Sequence, residues 1–160
     1  MKKSVAFVGV CICCAFTANA QWYDSDKVKE KSAKLYAKAI EFLRNDEFKE
    51  AMPYLLTAIE ADTNHLDAYL SAAGVFGQLK QYKRSNQSYE KARSKDSVYF
   101  NIYNFPYSIN LAGEGKFAEA LAAVNKFLSL PNLNDKSIKS ANYRKRTYEF
   151  ALSYASQHGN

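Results

Sequence analysis

A spacing of 34 to 35 residues recurs along this chain, and it restricts the possible folds more than any other feature. The stretches EFKEAMPYLLTAIEADT (47–63), QYKRSNQSYEKARSKDS (81–97) and KFAEALAAVNKFLSLPN (116–132) each carry an aromatic residue at the second position and a small residue three positions later. Upstream, the same register relates Leu35 to Tyr69. Steps of three and four between the apolar positions are typical of amphipathic helices. The chain is therefore predicted to consist of repeated helix pairs.

Residue size along each repeat explains how the helices of a pair would pack. The small residues Ala39, Ala51 and Ala58 allow two helices to approach closely, while larger ones such as Leu35 and Leu55 fill the grooves between neighbouring turns. A single pair leaves one apolar face uncovered. Stacked pairs cover each other's faces, and the last pair needs a capping helix with a polar outer side.

This pattern resembles the tetratricopeptide repeat. The resemblance implies an all-α fold, an α-solenoid of about three helix hairpins followed by a capping helix, and it covers residues 21–160. The repeats are expected at about 32–65, 66–100 and 101–134, with the cap helix at 135–157. In all, seven helices are predicted, at about 25–44, 47–61, 65–79, 82–95, 99–113, 116–129 and 135–157.

The third repeat departs most from the pattern because it contains Pro106. Proline removes one intrahelical hydrogen bond and clashes with the preceding turn. A kink, or a helix that begins later near Asn104, is expected there.

Residues 1–20, MKKSVAFVGVCICCAFTANA, have the three parts of a secretory signal peptide. Lys2 and Lys3 form a basic start, Val5 to Phe16 an apolar run, and Ala18-Asn19-Ala20 a cleavage site with small residues. The apolar run is about a dozen residues, shorter than the roughly 20 that a membrane-spanning helix needs. The mature chain is expected to begin near Gln21 and to be exported to the periplasm or to the periplasmic face of the outer membrane.

All three cysteines lie within this predicted signal, at Cys11, Cys13 and Cys14. The mature chain would therefore contain no thiol for a disulfide, a nucleophile or a metal ligand. Lipid anchoring through Cys11 is disfavoured, because Val8-Gly9-Val10 is a poor match to the Leu-Ala-Gly-like triplet that precedes an acylated cysteine.

Charge is distributed unevenly along the mature chain. Residues 21–65 hold nine acids and seven bases, whereas residues 66–160 hold seven acids and thirteen bases. A basic half in an exported protein points to acidic protein faces, anionic envelope polymers or lipid head groups rather than to nucleic acid. A soluble surface with excess lysine is the alternative reading.

A closer resemblance concerns the end of the chain. The run FAEALAAVNKFLSLPNLNDKSIKSANYRKRTYEFA (117–151) is similar to the end of the tetratricopeptide module at the N terminus of exported Bacteroidota envelope proteins. In that family the module is usually followed by a β-propeller and often by a peptidoglycan-binding domain of the outer-membrane-protein-A type, and some members are linked to gliding and secretion machinery. The present sequence is expected to be either a short stand-alone relative or the first part of a longer protein.

The sequence shows no recognisable catalytic, cofactor or metal constellation. His65 and His158 have no second metal ligand at helical or hairpin spacing. Gly113 and Gly115 are expected in a tight turn between helices and do not form a phosphate-binding loop. Neither enzyme activity, a cofactor nor a metal is predicted.

In tetratricopeptide arrays the first helix of each repeat lines a concave groove, so the resemblance implies which residues would contact a partner protein. The groove candidates are Tyr36, Ile40, Leu43, Leu70, Gly74, Gln78, Phe105 and Ile109. The family's clamp for a terminal carboxylate uses Lys and Asn, but Tyr36, Ile40, Ser71, Ile102 and Pro106 stand at those positions here. A carboxylate clamp is therefore not expected.

The predicted function is a non-catalytic adaptor that binds an envelope protein through this groove, as part of an outer-membrane, secretion or peptidoglycan-associated complex. The last helix offers a second surface, composed of Lys136, Lys139, Arg144, Lys145 and Arg146. The alternative function is binding of an envelope polymer, peptidoglycan or anionic lipid, through that basic helix.

Overall fold

The computed structural model describes residues 24–158, so the predicted signal peptide lies outside the described residues. Within that range the chain is helical and contains no strand, which confirms the predicted all-α class. The α-helices are α1 (Glu30–Leu43), α2 (Phe48–Ala61), α3 (Leu66–Gln78), α4 (Tyr82–Lys95), α5 (Asn104–Gly113), α6 (Phe117–Leu128) and α7 (Asp135–His158). Two short 3-10 helices lie at Ser25–Lys27 and Tyr99–Tyr103.

Consecutive helices pack as antiparallel hairpins, α1 with α2, α3 with α4 and α5 with α6, and α7 packs against α6. Adjacent hairpins touch through α2 and α3 and through α4 and α5. The small residues predicted at the inner contacts, Ala39, Ala51 and Ala58, have no exposed surface. Close helix approach at these positions is what leaves room for the larger side chains between turns.

The turn inside each hairpin has the same backbone geometry three times. Asp46, Lys80 and Gly115 all have positive φ angles, of 58°, 57° and 82°. Their amides donate to the carbonyl oxygens of Leu43, Gly77 and Ala112, and the next amide donates to a carbonyl five residues earlier in each case. This pair of bonds satisfies carbonyls that a helix end otherwise leaves without partners. The repeat of the sequence is thus also a repeat of backbone conformation.

The first helix begins later than predicted. The sequence suggested a helix from residue 25, but α1 starts at Glu30. Asp24 instead caps the short 3-10 turn by accepting a bond from the Asp26 amide. The Lys29 amide donates to Asp62 Oδ2 at 3.0 Å, and this bond to the end of α2 holds Lys29 in a non-helical conformation (φ −58°, ψ 134°). A contact between residues distant in sequence therefore sets the start of α1, at a point where the local pattern alone predicts a longer helix.

The start of α5 agrees with the expectation from Pro106. A 3-10 turn covers Tyr99–Tyr103, and the α-helix begins at Asn104. Pro106 is then the third residue of α5, within the first turn. Amides of the first turn have no intrahelical acceptor, so proline breaks no hydrogen bond there.

Buried apolar residues form two clusters. One lies within the first hairpin and α3 and includes Leu55 and Phe76. The other joins the second and third hairpins to α7, whose Ala141 and Tyr148 are buried in it. The capping helix is thus part of the larger cluster.

Candidate functional site: the groove lined by α1, α3 and α5

The first helices of the three hairpins lie next to each other and form one side of the molecule. The Tyr36 hydroxyl on α1 lies 3.1 Å from Ser71 Oγ on α3. Helices α3 and α5 come close at Gly77, where an added Cβ would lie 2.6 Å from Asn110 Oδ1. A larger residue at Gly77 would displace the Asn110 side chain of α5.

Most of the predicted groove residues retain accessible surface. Gln78 is exposed, while Tyr36, Ile40, Leu43, Gly74 and Ile109 are half-buried. At Gly74 an added Cβ would meet nothing within 4 Å, so this position borders open space. The surface available along the three helices is therefore mostly apolar.

Two predicted groove residues pack against the larger core cluster. Leu70 is only 5% exposed and belongs to the larger core cluster, so it supports the groove from below rather than lining it. Phe105 is half-buried because its ring stacks on Phe127 of α6, with centroids 5.2 Å apart. In both cases the packing of neighbouring helices determines which part of the side chain remains accessible.

The structure brings Tyr36 of the predicted groove together with Asp67, Tyr99 and Tyr103, which are not among the groove candidates named above. We call Tyr36, Asp67, Tyr99 and Tyr103 the tyrosine cluster. The Tyr99 hydroxyl donates to Asp67 Oδ1 at 3.1 Å, and the rings of Tyr99 and Tyr103 stack with centroids 6.1 Å apart. The repeat spacing was a signal that could have located Tyr99. The ring of His65 contacts Tyr36 edge-on, with centroids 4.8 Å apart, and Tyr99 occupies the equivalent position one repeat, or 34 residues, later.

Burial, together with the charge of Asp67, raises the pKa of Tyr36, Tyr99 and Tyr103. The three phenols therefore keep their protons at neutral pH and act as hydrogen-bond donors. Asp67 supplies the negative charge that acts on all three. This end of the groove combines aromatic surface with a carboxylate.

The polar contacts beneath Tyr36 are buried. His65 Nδ1 lies 2.7 Å from Ser32 Oγ, and the Ser32 hydroxyl donates to the Ala58 carbonyl at 2.7 Å. Since that hydroxyl proton is used, the imidazole Nδ1 is the donor to Ser32. Burial lowers the pKa of His65, although the carboxylates of Asp62 and Asp67 oppose the shift. A neutral imidazole thus fixes the edge of the Tyr36 ring.

The predicted basic surface on α7 is divided by the helical rotation of about 100° per residue. Lys136, Lys139 and Arg146 share the side on which Tyr143, Phe150 and Tyr154 are exposed, by 61%, 71% and 57%. Arg144 is exposed on another side. Lys145 is half-buried, and its Nζ lies 4.0 Å from Glu149 Oε1. The exposed side of α7 is therefore aromatic as well as basic.

Residues 24–158 contain neither a candidate membrane-spanning helix nor a group of metal-ligand side chains. None of the helices there combines the length and apolar character needed to cross a membrane. In the same range, no three His, Cys, Asp or Glu side chains are grouped as metal ligands would be.

Comparison with known sequences shows a distant similarity to one part of a much longer protein. No known protein-family profile matches the chain. The Drosophila melanogaster protein O-mannosyl-transferase Tmtc3 is 25% identical over 137 residues, which cover 82% of this chain. The chain spans only 13% of the length of that protein.

Comparison with solved structures identifies the fold. The first tetratricopeptide domain of Spaghetti (RPAP3), bound to the HSP90 peptide SRMEEVD, superposes with a TM-score of 0.68 at 18% identity and covers 77% of this chain and 94% of its own. The Yersinia enterocolitica type III secretion chaperone SycD, in complex with a peptide of the translocator YopD, gives 0.66 at 14% identity, with 76% and 95% covered. MamA from Desulfovibrio magneticus RS-1 gives 0.63 at 17% identity, with 82% and 75% covered. The helix hairpins described above therefore form an α-solenoid with the tetratricopeptide-repeat fold.

Proposed function

We propose that this protein is a non-catalytic scaffold that holds a segment of a partner protein in the groove of α1, α3 and α5. The observation that supports this most is the half-buried apolar lining of Ile40, Leu43 and Ile109 beside the open space at Gly74. Two structures of the same fold, those of Spaghetti and SycD, contain a bound peptide.

We further propose that the scaffold works in the cell envelope. This part rests on the signal-like residues 1–20 and on the resemblance of residues 117–151 to the module of exported Bacteroidota proteins. On this view the partner is a protein of an outer-membrane, secretion or peptidoglycan-associated complex. Cell fractionation with mass spectrometry of the N terminus should recover a chain beginning near Gln21 outside the cytoplasm. Recovery of the chain in the cytoplasm with Met1 to Ala20 attached would contradict export.

Site-specific photocrosslinking tests the groove itself. A photoreactive residue at Ile40 or Gln78 should capture one dominant protein in the cells that make the chain, because both positions border the groove. The matched control is Lys91, an exposed position on α4 that lies outside the groove. Equal capture from Lys91 and from the groove positions would contradict the proposal.

Binding of an anionic envelope polymer or lipid through α7 is the second candidate function. It is favoured by the side of α7 that combines Lys139 and Arg146 with the exposed rings of Tyr143, Phe150 and Tyr154. Aromatic and basic residues on one helix side suit the boundary between anionic head groups and acyl chains.

Salt and charge variants separate the two candidates. Binding to phosphatidylglycerol vesicles or to purified peptidoglycan through α7 should weaken steeply between low and moderate salt. The double variant Lys139→Gln/Arg146→Gln should lower vesicle affinity roughly thirtyfold, at about 1 kcal/mol for each charge near an anionic surface. The control Lys83→Gln/Lys91→Gln removes two exposed lysines from α4. Equal losses in both double variants would exclude a specific role of α7.

A further inference from the structure

The tyrosine cluster brings aromatic rings from separate elements to one carboxylate. Tyr36 comes from α1, Asp67 from the first turn of α3, and Tyr99 and Tyr103 from the 3-10 turn before α5. The Tyr99–Asp67 hydrogen bond of 3.1 Å and the stacked rings of Tyr99 and Tyr103 hold this arrangement together. Residues of all three predicted repeats are thus required to form it, with Tyr36 from the first, Asp67 and Tyr99 from the second and Tyr103 from the third.

A ligand can reach the cluster from solvent. Tyr99 is 37% exposed, and Tyr36, Asp67 and Tyr103 are half-buried. The neighbouring Ile102 is 59% exposed and adds apolar surface beside the cluster. The side chains are therefore ordered by their mutual contacts without being enclosed.

The chemistry of the cluster favours a positively charged group. Tyrosine faces attract cations through the ring quadrupole, and a carboxylate oxygen forms stronger hydrogen bonds with charged donors than with neutral ones. A carboxylate has about four acceptor positions and can accept bonds from several donors at once. An acidic side chain would instead meet the charge of Asp67 in partly desolvated surroundings.

A nearby lysine, Lys95, illustrates how a tyrosine ring on α3 attracts a cation. Lys95 Nζ lies 5.3 Å from the centre of the Tyr69 ring and 3.3 Å from Asn64 Oδ1. This lysine is engaged with Tyr69 and Asn64. The charge that acts on the hydroxyls of Tyr36, Tyr99 and Tyr103 is that of Asp67.

We propose that the tyrosine cluster is a subsite for a lysine or arginine side chain of the partner segment that occupies the groove. The inference rests on the proposed scaffold function, because the cationic side chain belongs to that segment. The subsite would select a positively charged side chain. A site for an acidic ligand, such as the HSP90 peptide SRMEEVD of the Spaghetti complex, would need the opposite charge preference.

A peptide series with one variable position tests the subsite. Peptides of fixed apolar composition carry arginine, lysine, citrulline or glutamate at the central position, and their dissociation constants are measured by fluorescence anisotropy with the folded chain. We expect the arginine and lysine peptides to bind about tenfold more tightly than the citrulline peptide, and the glutamate peptide to bind most weakly.

Variants assign the preference to particular residues. Asp67→Asn should reduce the advantage of arginine over citrulline to about threefold or less, and Tyr99→Ala should also reduce it by removing one aromatic face. Glu60→Gln, at an exposed carboxylate of α2, changes the net charge equally and should leave the advantage intact. Circular dichroism and the melting temperature establish that each variant is folded.

The outcomes separate the subsite from the groove. Peptides that bind with equal affinity whatever the central residue, or best with glutamate, would overturn the cationic subsite while supporting the groove. The cationic subsite would also be overturned if Asp67→Asn and Glu60→Gln changed the advantage of arginine over citrulline to the same extent. If none of the peptides binds and the Ile40 and Gln78 crosslinks equal that of Lys91, both the subsite and the scaffold function are wrong.

Discussion

At the scale of single residues, stability depends on small side chains where helices touch and large ones between those contacts. Ala39, Ala51 and Ala58 are completely buried, and Leu55 and Phe76 fill the space around them. The Arg84 guanidinium lies 4.1 Å from the centre of the Phe76 ring, so this ring also makes a cation–π contact at the surface.

Truncation of the large core residues should destabilise the fold strongly. Leu55→Ala and Phe76→Ala are each expected to lower the free energy of unfolding by about 2 to 5 kcal/mol, because each removes buried surface and leaves a cavity. Denaturant or thermal unfolding monitored by circular dichroism measures the change. Lys49→Ala, at an exposed position of α2, is the control and should have little effect. Stability unchanged in both core variants would contradict the packing described here.

His65 should make stability depend on pH. Burial lowers its pKa below the ordinary value of 6.5, so the unfolded chain takes up a proton in a pH range where the folded chain does not. Stability is therefore complete above about pH 7 and falls as the pH drops through the unfolded pKa towards the lowered folded pKa. Each unit of separation between the two pKa values corresponds to about 1.4 kcal/mol.

Urea unfolding at several pH values between 5 and 8 measures this dependence. His65→Gln should flatten the slope in that range, whereas His158→Gln, at the exposed end of α7, should not. A slope that survives His65→Gln would assign the pH dependence to other groups.

At the scale of secondary-structure elements, α7 differs from the paired helices. It is the longest helix and covers the last hairpin with few buried side chains, chiefly Ala141 and Tyr148. The Tyr148 ring lies 6.4 Å from that of Phe117, and its hydroxyl is 3.5 Å from Ser108 Oγ. The attachment of the cap thus depends on few fully buried side chains of α7.

Tyr148→Ala should therefore weaken the cap specifically. We expect a loss of about 3 to 5 kcal/mol, the usual cost of removing a buried aromatic side chain. Tyr143→Ala on the same helix removes an exposed ring and should change stability by less than about 0.5 kcal/mol. Urea unfolding of the two variants gives the comparison, and equal losses would show that α7 is not anchored through Tyr148.

At the scale of the whole molecule, the two core clusters divide the solenoid along its length. One occupies the first hairpin and α3, and the other extends from α3 to α7. In repeat proteins each unit contacts chiefly its neighbours, so stability is close to a sum of local terms. One end of the solenoid should therefore be able to unfold while the other end stays folded.

Hydrogen exchange can detect this local unfolding. Leu55→Ala should reduce amide protection mainly in α1 and α2, while protection in α6 and α7 stays nearer to that of the unaltered chain. Mass spectrometry of proteolytic peptides gives the protection of each helix. A uniform loss along residues 24–158 would indicate a single cooperative unit instead.

The helices were predictable because residue spacing alone carries the helical period and the length of the repeat. The start of α1 was not, since it depends on the hydrogen bond between the Lys29 amide and Asp62, 33 residues away. Leu70 was placed in the groove by analogy of position but is buried. The position of a residue within its repeat can be read from the nearby sequence. The exposed fraction of its side chain depends on how the neighbouring hairpins pack.

The amino-acid pattern was enough to predict the helical class, the stacked hairpins and the later helix start near Pro106, because these depend on residues within about 35 positions along the chain. Which side chains meet in the groove depends on the packing of the hairpins. Tyr36, Asp67 and Tyr99 lie on three elements, and the repeat spacing alone does not bring them into contact. Their approach follows from the distance and rotation between successive hairpins, which the packing of the whole core sets.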